Sequence, residues 1–309
     1  MERRTLGRTG LSVTRIGFGA MEIRGPRIWS GRPVTDQQAE RILNAVLDAG
    51  INLIDTSPDY GRSEEYIGRF ISSRRSEYFI ATKCGCTVVN AGDHDETPHV
   101  WTGENLLRNI EESLRRMKTD HVDILQLHNP AVEMVERGKL VDALQEIQRA
   151  GHTRFISIST TLPALPTYLE MGVFDTFQIP YSATERTHEE WISRVRQAGV
   201  GTIIRGGVAR GAVAGDREAG RSWDTWQEAK LDQILDGMNR MEFMLRFTLS
   251  QQRIDTIIVG TLSPEHLAEN LAAAERGPLP EELYGEAKRR LSAAGGDPQA
   301  PSDRPGRTW

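Results

Sequence analysis

The chain has 309 residues, with 38 Lys and Arg against 43 Asp and Glu, a formal net charge of −5. A mildly acidic balance with scattered charges argues against nucleic-acid binding, and no run of roughly 18 apolar residues is available to span a bilayer. Residues 1–7 lack the apolar stretch of a secretory leader, and two cysteines are few enough for a reducing compartment, so a cytoplasmic protein is expected.

In chain order, residues 3–6 and 12–16 read as a hairpin around a turn at 7–10, and residues 15–18 as a first core strand. Thr35 with Gln38 three residues on is a capping box, so a helix is expected over 35–49, stopped by Gly50. A strand at 51–54, a helix at 63–72 with Ser63 as N-cap, and a strand at 78–82 follow. Residues 86–102, rich in Gly, Asp, His and Thr, form a long loop. Beyond it the pattern gives a helix at 103–117, a strand at 122–127, a helix at 137–150, a strand at 155–158, a helix at 162–170 and a strand at 176–179. A helix at 188–198 and a strand at 201–204 precede a long insert with a helical stretch at 225–251. The last elements are a strand at 256–259, a helix at 264–274 with Pro264 in its first turn, and a helix at 281–293.

Eight short apolar strands alternating with helices imply a parallel sheet covered on both faces. Eight such units in about 250–300 residues is the arithmetic of a closed (β/α)8 TIM barrel. The expected organisation is one barrel over 1–294 with an N-terminal β-hairpin, and an irregular Pro/Gly-rich C-terminal tail over 295–309. A doubly wound sheet would ask for a Gly-rich turn after its first strand and an acid about 20 residues on, a pattern that Gly17-Phe18-Gly19-Ala20 does not satisfy.

Barrel chemistry collects at the C-terminal ends of the strands. Here the second strand ends in Asp55 with Tyr60 five residues on, the third in Lys83 and the fourth in His128. The fifth ends in Ser159 and Thr160, the sixth carries Gln178, the seventh ends in Arg205 and the eighth in Gly260 and Thr261. A carboxylate, a phenol, an ammonium and an imidazole form a proton-handling set, although each alone also reads as a turn, packing or solvated residue. Cys84 and Cys86 stand too close for a paired zinc knuckle and have no second pair; they read as partly buried thiols, and no metal is expected.

The segment Asn52-Leu53-Ile54-Asp55-Thr56-Ser57-Pro58-Asp59-Tyr60-Gly61-Arg62-Ser63-Glu64-Glu65, the strand Ile80-Ala81-Thr82-Lys83 and the strand Asp123-Ile124-Leu125-Gln126-Leu127-His128 resemble the signatures of the aldo-keto reductases. The opening Leu6-Gly7-Arg8-Thr9-Gly10-Leu11 is similar to that family's hairpin. The resemblance implies NAD(P)(H)-dependent reduction of an aldehyde or ketone, or the reverse. Tyr60 would be the general acid, Lys83 would lower its pKa, Asp55 would hold Lys83, and His128 would hydrogen-bond the carbonyl oxygen. The implied partner is a small-molecule carbonyl or alcohol, with no nucleic acid and no membrane, in a monomer or weak homo-oligomer.

The same resemblance implies a cofactor pocket. Gly19, Met21 and Asp55 would line it, and Ser159 and Gln178 would meet the carboxamide, with Thr160 where the family often has Asn. Arg205 stands where an aromatic ring often stacks, followed by Gly206, Gly207 and Val208. Gly260, Thr261, Ser263, His266, Glu269 and Asn270 lie in a segment that resembles the adenosine-phosphate motif. Common family versions carry Lys and Arg in place of Gly260 and His266, cations that pair with a 2′-phosphate. NADP(H) is expected from family habit, and NAD(H) stays open. A dinucleotide-binding regulatory or scaffold barrel without significant turnover is the alternative. Residues 21–29 and 86–101, Tyr181 and residues 223–226 are expected to rim the substrate pocket.

Overall fold

A computed structural model of the protein describes residues 1–215 and 220–300. The strands are β1 (Arg3–Thr5), β2 (Ser12–Thr14), β3 (Ile16–Gly19), β4 (Leu53–Asp55), β5 (Phe79–Cys84), β6 (Val89–Asn90), β7 (Asp95–Glu96), β8 (Val122–His128), β9 (Thr153–Ser159), β10 (Thr176–Pro180), β11 (Gly201–Arg205) and β12 (Thr256–Val259). The helices are α1 (Asp36–Asp48), α2 (Ser63–Phe70), α3 (Gly103–Met117), α4 (Val132–Arg137), α5 (Leu140–Arg149), α6 (Leu165–Met171), α7 (Glu189–Gln197), α8 (Gly220–Glu228), α9 (Arg240–Ser250), α10 (Pro264–Glu275) and α11 (Glu281–Ala293). Eight strands close into a barrel in the order β10-β11-β12-β3-β4-β5-β8-β9, as expected for a TIM barrel. β1 and β2 pair antiparallel outside it.

The chain packs as two compact units: Met1–Ile16 with Gln178–Val259 and the described residues from Ala268 on, and Gly17–Phe177 with Gly260–Leu267. In the second unit, α3 shows how the sequence builds its supports. Thr102 caps the helix by accepting from the Asn105 N–H at 3.2 Å, and Lys118 ends it in a left-handed turn. Its buried face carries Leu106, Ile110 and Met117 with Asn105, Asn109 and Ser113 at one-turn spacing. The strap after β4 is tied to the neighbouring elements by a short polar chain: Thr56 Oγ1 meets Ser63 Oγ at 2.8 Å, and Ser63 Oγ donates to Ala20 O at 3.0 Å.

Ser63 is therefore not the cap of α2, whose cap position is Arg62, with no side-chain capping bond. The expected helix over 137–150 starts only at Leu140, as α5, because Lys139 takes a left-handed conformation that separates it from α4, a helix that was not expected. The expected stretch over 225–251 is likewise interrupted, with left-handed residues at Lys230, Asp236 and Gly237 between α8 and α9. The long loop over 86–102 contains a small ribbon, β6 with β7, that its polar composition concealed. Residues 295–300 are irregular, and the rest of the expected tail, 301–309, lies outside the described residues. Among the described residues no helix is long and apolar enough to cross a membrane.

In the first unit, His188 is buried at the start of α7. Burial first, and then the Arg205 charge, depress its pKa from 6.5 to about 4. The unfolded chain therefore takes up a proton near pH 6.5 that the native chain refuses until near pH 4. Stability from this group is complete above pH 6.5 and falls as pH drops toward 4, by about 3 kcal/mol in all. Urea midpoints measured from pH 7 to 4.5 should fall less steeply for His188→Gln than for the parent, whereas parallel pH profiles would show that His188 does not contribute.

Candidate active site

Asp55 is the last residue of β4, in register with Gly19 of β3 and Ala81 of β5. Lys83 lies near the end of β5, in register with Gln126 of β8. All three polar side chains are buried. Lys83 Nζ donates to Asp55 Oδ1 at 2.7 Å and to Thr56 O at 2.8 Å, and Gln126 Nε2 donates to Asp55 Oδ2 at 2.8 Å. Burial works against the ammonium, but the Asp55 charge, followed by Tyr60 and Asp59, outweighs it and raises the Lys83 pKa above the ordinary lysine value. Lys83 is charged at neutral pH.

Tyr60 sits on the strap between β4 and α2, with Lys83 Nζ 4.6 Å from its ring centroid. The expectation that Lys83 lowers the phenol pKa holds for that one interaction and not for the sum. Burial raises the pKa most, Lys83 opposes it, Asp55 and Asp59 add to the rise, and the net direction is upward. Tyr60 is a protonated phenol at neutral pH.

His128 ends β8. Its Nδ1 lies 3.2 Å from Cys86 Sγ and 3.3 Å from Asp59 Oδ2. Asp59 is fully buried, and Ser57 Oγ donates to its Oδ1. Burial pushes the Asp59 pKa up, but the close His128 ring, the Ser57 hydroxyl and the Lys83 charge overcome this and hold it below the usual carboxylate range. The approach of His128 to Oδ2 is close without hydrogen-bond alignment, so that oxygen has no hydrogen-bond partner among the described residues. The loop carrying Cys86 is clamped by α3: Asn109 Nδ2 donates to Cys86 O and Asn109 Oδ1 accepts from Gly85 N, both at 2.8 Å.

Ser159, at the end of β9, is in register with His128. Ser159 and Thr160 are buried, and Ser159 Oγ donates to Asn129 Oδ1 at 3.0 Å. The amide expected after Ser159 in the family, and missing at Thr160, is thus present beside Ser159 on another segment.

Past β12, a Cβ on Gly260 would come within 2.6 Å of Gly19 O, so a larger residue there requires the backbone to move. Thr261 Oγ1 accepts from Ser263 N at 3.0 Å, and Ser263 Oγ accepts from His266 N at 3.1 Å while donating to Glu265 Oε2 at 2.7 Å. The N-terminus of α10 is therefore capped by its own Ser263 and carries a carboxylate in its first turn. Met21 O accepts from Arg24 N at 3.2 Å and Arg24 Nη1 at 2.9 Å.

The first unit holds the other expected cofactor residues. Gln178 is buried on β10, Arg205 ends β11, and Gly206 and Val208 are half-buried in the turn that follows. A Cβ on Gly207 would lie 2.6 Å from the Ile257 side chain, and Thr248 Oγ1 donates to Gly207 O at 2.7 Å. Glu269 and Asn270 lie on α10, Glu269 exposed.

The Aldo/keto reductase family model matches residues 15–289. The chain belongs to the aldo/keto reductase family. Membership makes it an NAD(P)H-dependent oxidoreductase. Among curated proteins it is similar to the NADH-specific methylglyoxal reductase of Escherichia coli, 26% identical with 88% of this chain and 93% of that protein covered. It is also similar to the L-galactose dehydrogenase of Arabidopsis thaliana, 28% identical with 88% of each covered. Among solved structures, the holo form of an aldo-keto reductase from Bacillus halodurans aligns with a TM-score of 0.82 and 26% identity, covering 94% of this chain and 96% of that one.

In this aldo-keto reductase the expected rim is only partly a rim. Trp29 is 49% exposed and meets the Tyr60 ring edge-on at 5.9 Å. Trp226 is core, packed on Phe243 with its Nε1 donating to Asp232 at 3.0 Å, and Tyr181 is buried with its hydroxyl 3.3 Å from that of Tyr284. Sequence reasoning also missed Asp59, Gln126, Asn129 and Glu265. Asp59 and Gln126 lie inside the quoted signatures, and a buried-strand position holding Gln is a signal in itself. Asn129 and Glu265 become informative only once their neighbours in space are known.

Proposed function

We propose that this enzyme reduces an aldehyde or ketone to the alcohol, or runs the reverse, with Asp55, Tyr60, Lys83 and His128 as its proton-handling set. The observation that carries the proposal is Lys83, buried, held by Asp55 at 2.7 Å and set against the Tyr60 ring. Ser159 and Asn129 suit a nicotinamide carboxamide, because together they offer hydroxyl and amide groups to a ligand that needs both donor and acceptor. A bound reduced nicotinamide supplies the hydride. Tyr60 holds its proton at neutral pH and delivers it to the alkoxide oxygen as charge develops there. The phenolate left behind is stabilised by Lys83, whose charge Asp55 maintains, and solvent returns the proton. His128 has Nδ1 turned to Asp59 and Cys86, so Nε2 is the nitrogen left to meet the carbonyl oxygen, and it donates there when it carries the ring proton. Trp29 flanks the substrate and favours a carbonyl with an apolar or ring-bearing side.

Titration with NADH and NADPH, followed by tryptophan fluorescence, tests the reading before any substrate is known. Binding of at least one, then its oxidation by members of an aldehyde and ketone panel, is expected. If neither cofactor binds, the reductase reading fails.

NADH is the cofactor that the α10 terminus favours. Ser263 already caps it, Glu265 places a carboxylate in its first turn, and Gly260 has no room for the cation common in the family. A 2′-phosphate there meets a like charge, whereas a 2′-hydroxyl does not. The NADH-specific methylglyoxal reductase among the relatives supports this. Glu265→Gln should raise the kcat/KM ratio of NADPH over NADH about tenfold, or about 1.4 kcal/mol. An unchanged ratio would remove Glu265 from cofactor choice.

A further inference from the structure

We propose that Asp59, Cys86, His99 and His128 form a binding site for one zinc ion on the Nδ1 side of the His128 ring. One ligand atom from each residue lies within 4.8 Å of all the others. Cys86 Sγ is 3.2 Å from His128 Nδ1 and 3.8 Å from His99 Nε2, and His128 Nδ1 is 3.3 Å from Asp59 Oδ2. Tetrahedral zinc bonded to one sulfur and three nitrogen or oxygen atoms separates its ligand atoms by roughly 3.3–3.6 Å, so these distances straddle the required ones.

A second observation points to a ligand. Asp59 Oδ2 is completely buried and has no hydrogen-bond partner among the described residues. A buried carboxylate oxygen left without a partner is costly, and a cation at the centre of the cluster satisfies it.

The ligands are also held in place. Cys86 and His99 face each other across an isolated antiparallel bridge, flanked by Thr87 N to Pro98 O and Val100 N to Gly85 O, both at 2.8 Å. Asn109 fixes Cys86 from below through its carbonyl, and the His99 ring stacks on Trp101. His99 is exposed while Asp59 and Cys86 are buried, which gives an ion a way in. One sulfur, two imidazoles and one carboxylate select zinc over the oxygen-seeking magnesium and calcium. Binding requires the Cys86 thiol to release its proton to solvent and involves no change of oxidation state.

The spacing of the cysteines gave no hint of this site, because its ligands come from the strap after β4, the loop after β5 and the end of β8. Its consequence for turnover rests on the reductase reading: an ion on Nδ1 fixes the ring proton on Nε2, the nitrogen proposed to donate to substrate. Metal binding itself does not depend on that reading.

The test is an anaerobic titration of the chelator-treated full-length protein with cobalt(II), then displacement by zinc. One equivalent of cobalt should give a thiolate-to-cobalt charge-transfer band and intense tetrahedral visible bands, both lost when zinc is added. Cys86→Ser should abolish the charge-transfer band, and His99→Ala, on an exposed loop, should weaken cobalt binding at least tenfold. Cys84→Ser, whose sulfur donates to Gln126 O instead, should keep the spectrum. Circular dichroism of each variant checks that it is folded. Absence of the bands in the parent, their survival in Cys86→Ser, or their loss in folded Cys84→Ser would overturn the site. A reductase failure appears separately, as an intact cobalt spectrum without NADH or NADPH oxidation.

Discussion

Tyr60→Phe should lower kcat for carbonyl reduction by between about a hundredfold and ten-thousandfold, the usual contribution of a positioned general acid. The substitution removes one hydroxyl and keeps the ring that Lys83 faces and that Trp29 meets edge-on. Cofactor binding should therefore stay within about twofold of the parent, and the loss should fall on kcat/KM as much as on kcat, the pattern of an interaction made only in the transition state. Steady-state kinetics with the better cofactor and the best carbonyl of the panel make the comparison. A loss of less than tenfold would remove Tyr60 from the acid role. Indifference to the substitution is also what the alternative, a dinucleotide-binding scaffold without significant turnover, requires.

Lys83→Met should damage both chemistry and stability. The side chain is fully buried, and its ammonium is the partner of Asp55 Oδ1 and Thr56 O. Removing one member of a buried ion pair leaves the other without compensation, at a cost of about 3–5 kcal/mol. Gln126 would remain as a single neutral donor to Asp55 Oδ2. The urea midpoint should fall accordingly, and turnover should be lost beyond the Tyr60→Phe level, because the phenolate loses its cation. Asp55→Asn added to Lys83→Met should recover part of the stability and none of the activity, since the double variant no longer buries a lone carboxylate. A single variant as stable as the parent would mean that the pair is not the electrostatic centre described.

Much of this site was legible in the sequence because barrel strands deliver their last residues to one face. Asp55, Lys83 and His128 each sit at or next to a strand end, where the apolar runs of β4, β5 and β8 stop. Tyr60 was legible through the resemblance of residues 52–65 to the family's signature. Its pKa was not: the Lys83 attraction is visible in sequence, while the burial that outweighs it is a property of packing. The same limit hid Asp59 and Cys86, which are ordinary turn and strand-end residues until the fold brings them to His128. Helix breaks at Lys139 and Lys230 were missed because a left-handed Lys leaves no mark in hydrophobic periodicity. Capping chemistry was readable where it is local, as in the Thr35 and Gln38 box, and misread where Ser63 bonds across to Ala20 instead.

The central claim is direct hydride transfer to a carbonyl carbon at the site around Tyr60. It is tested most directly by reduction with NADH or NADPH deuterated at the transferable position of C4, followed by mass spectrometry and NMR of the alcohol. One deuterium on the former carbonyl carbon is expected with the parent enzyme, and almost none formed in the same time with Tyr60→Phe. Alcohol formed without deuterium, or equal incorporation by the variant, would contradict it.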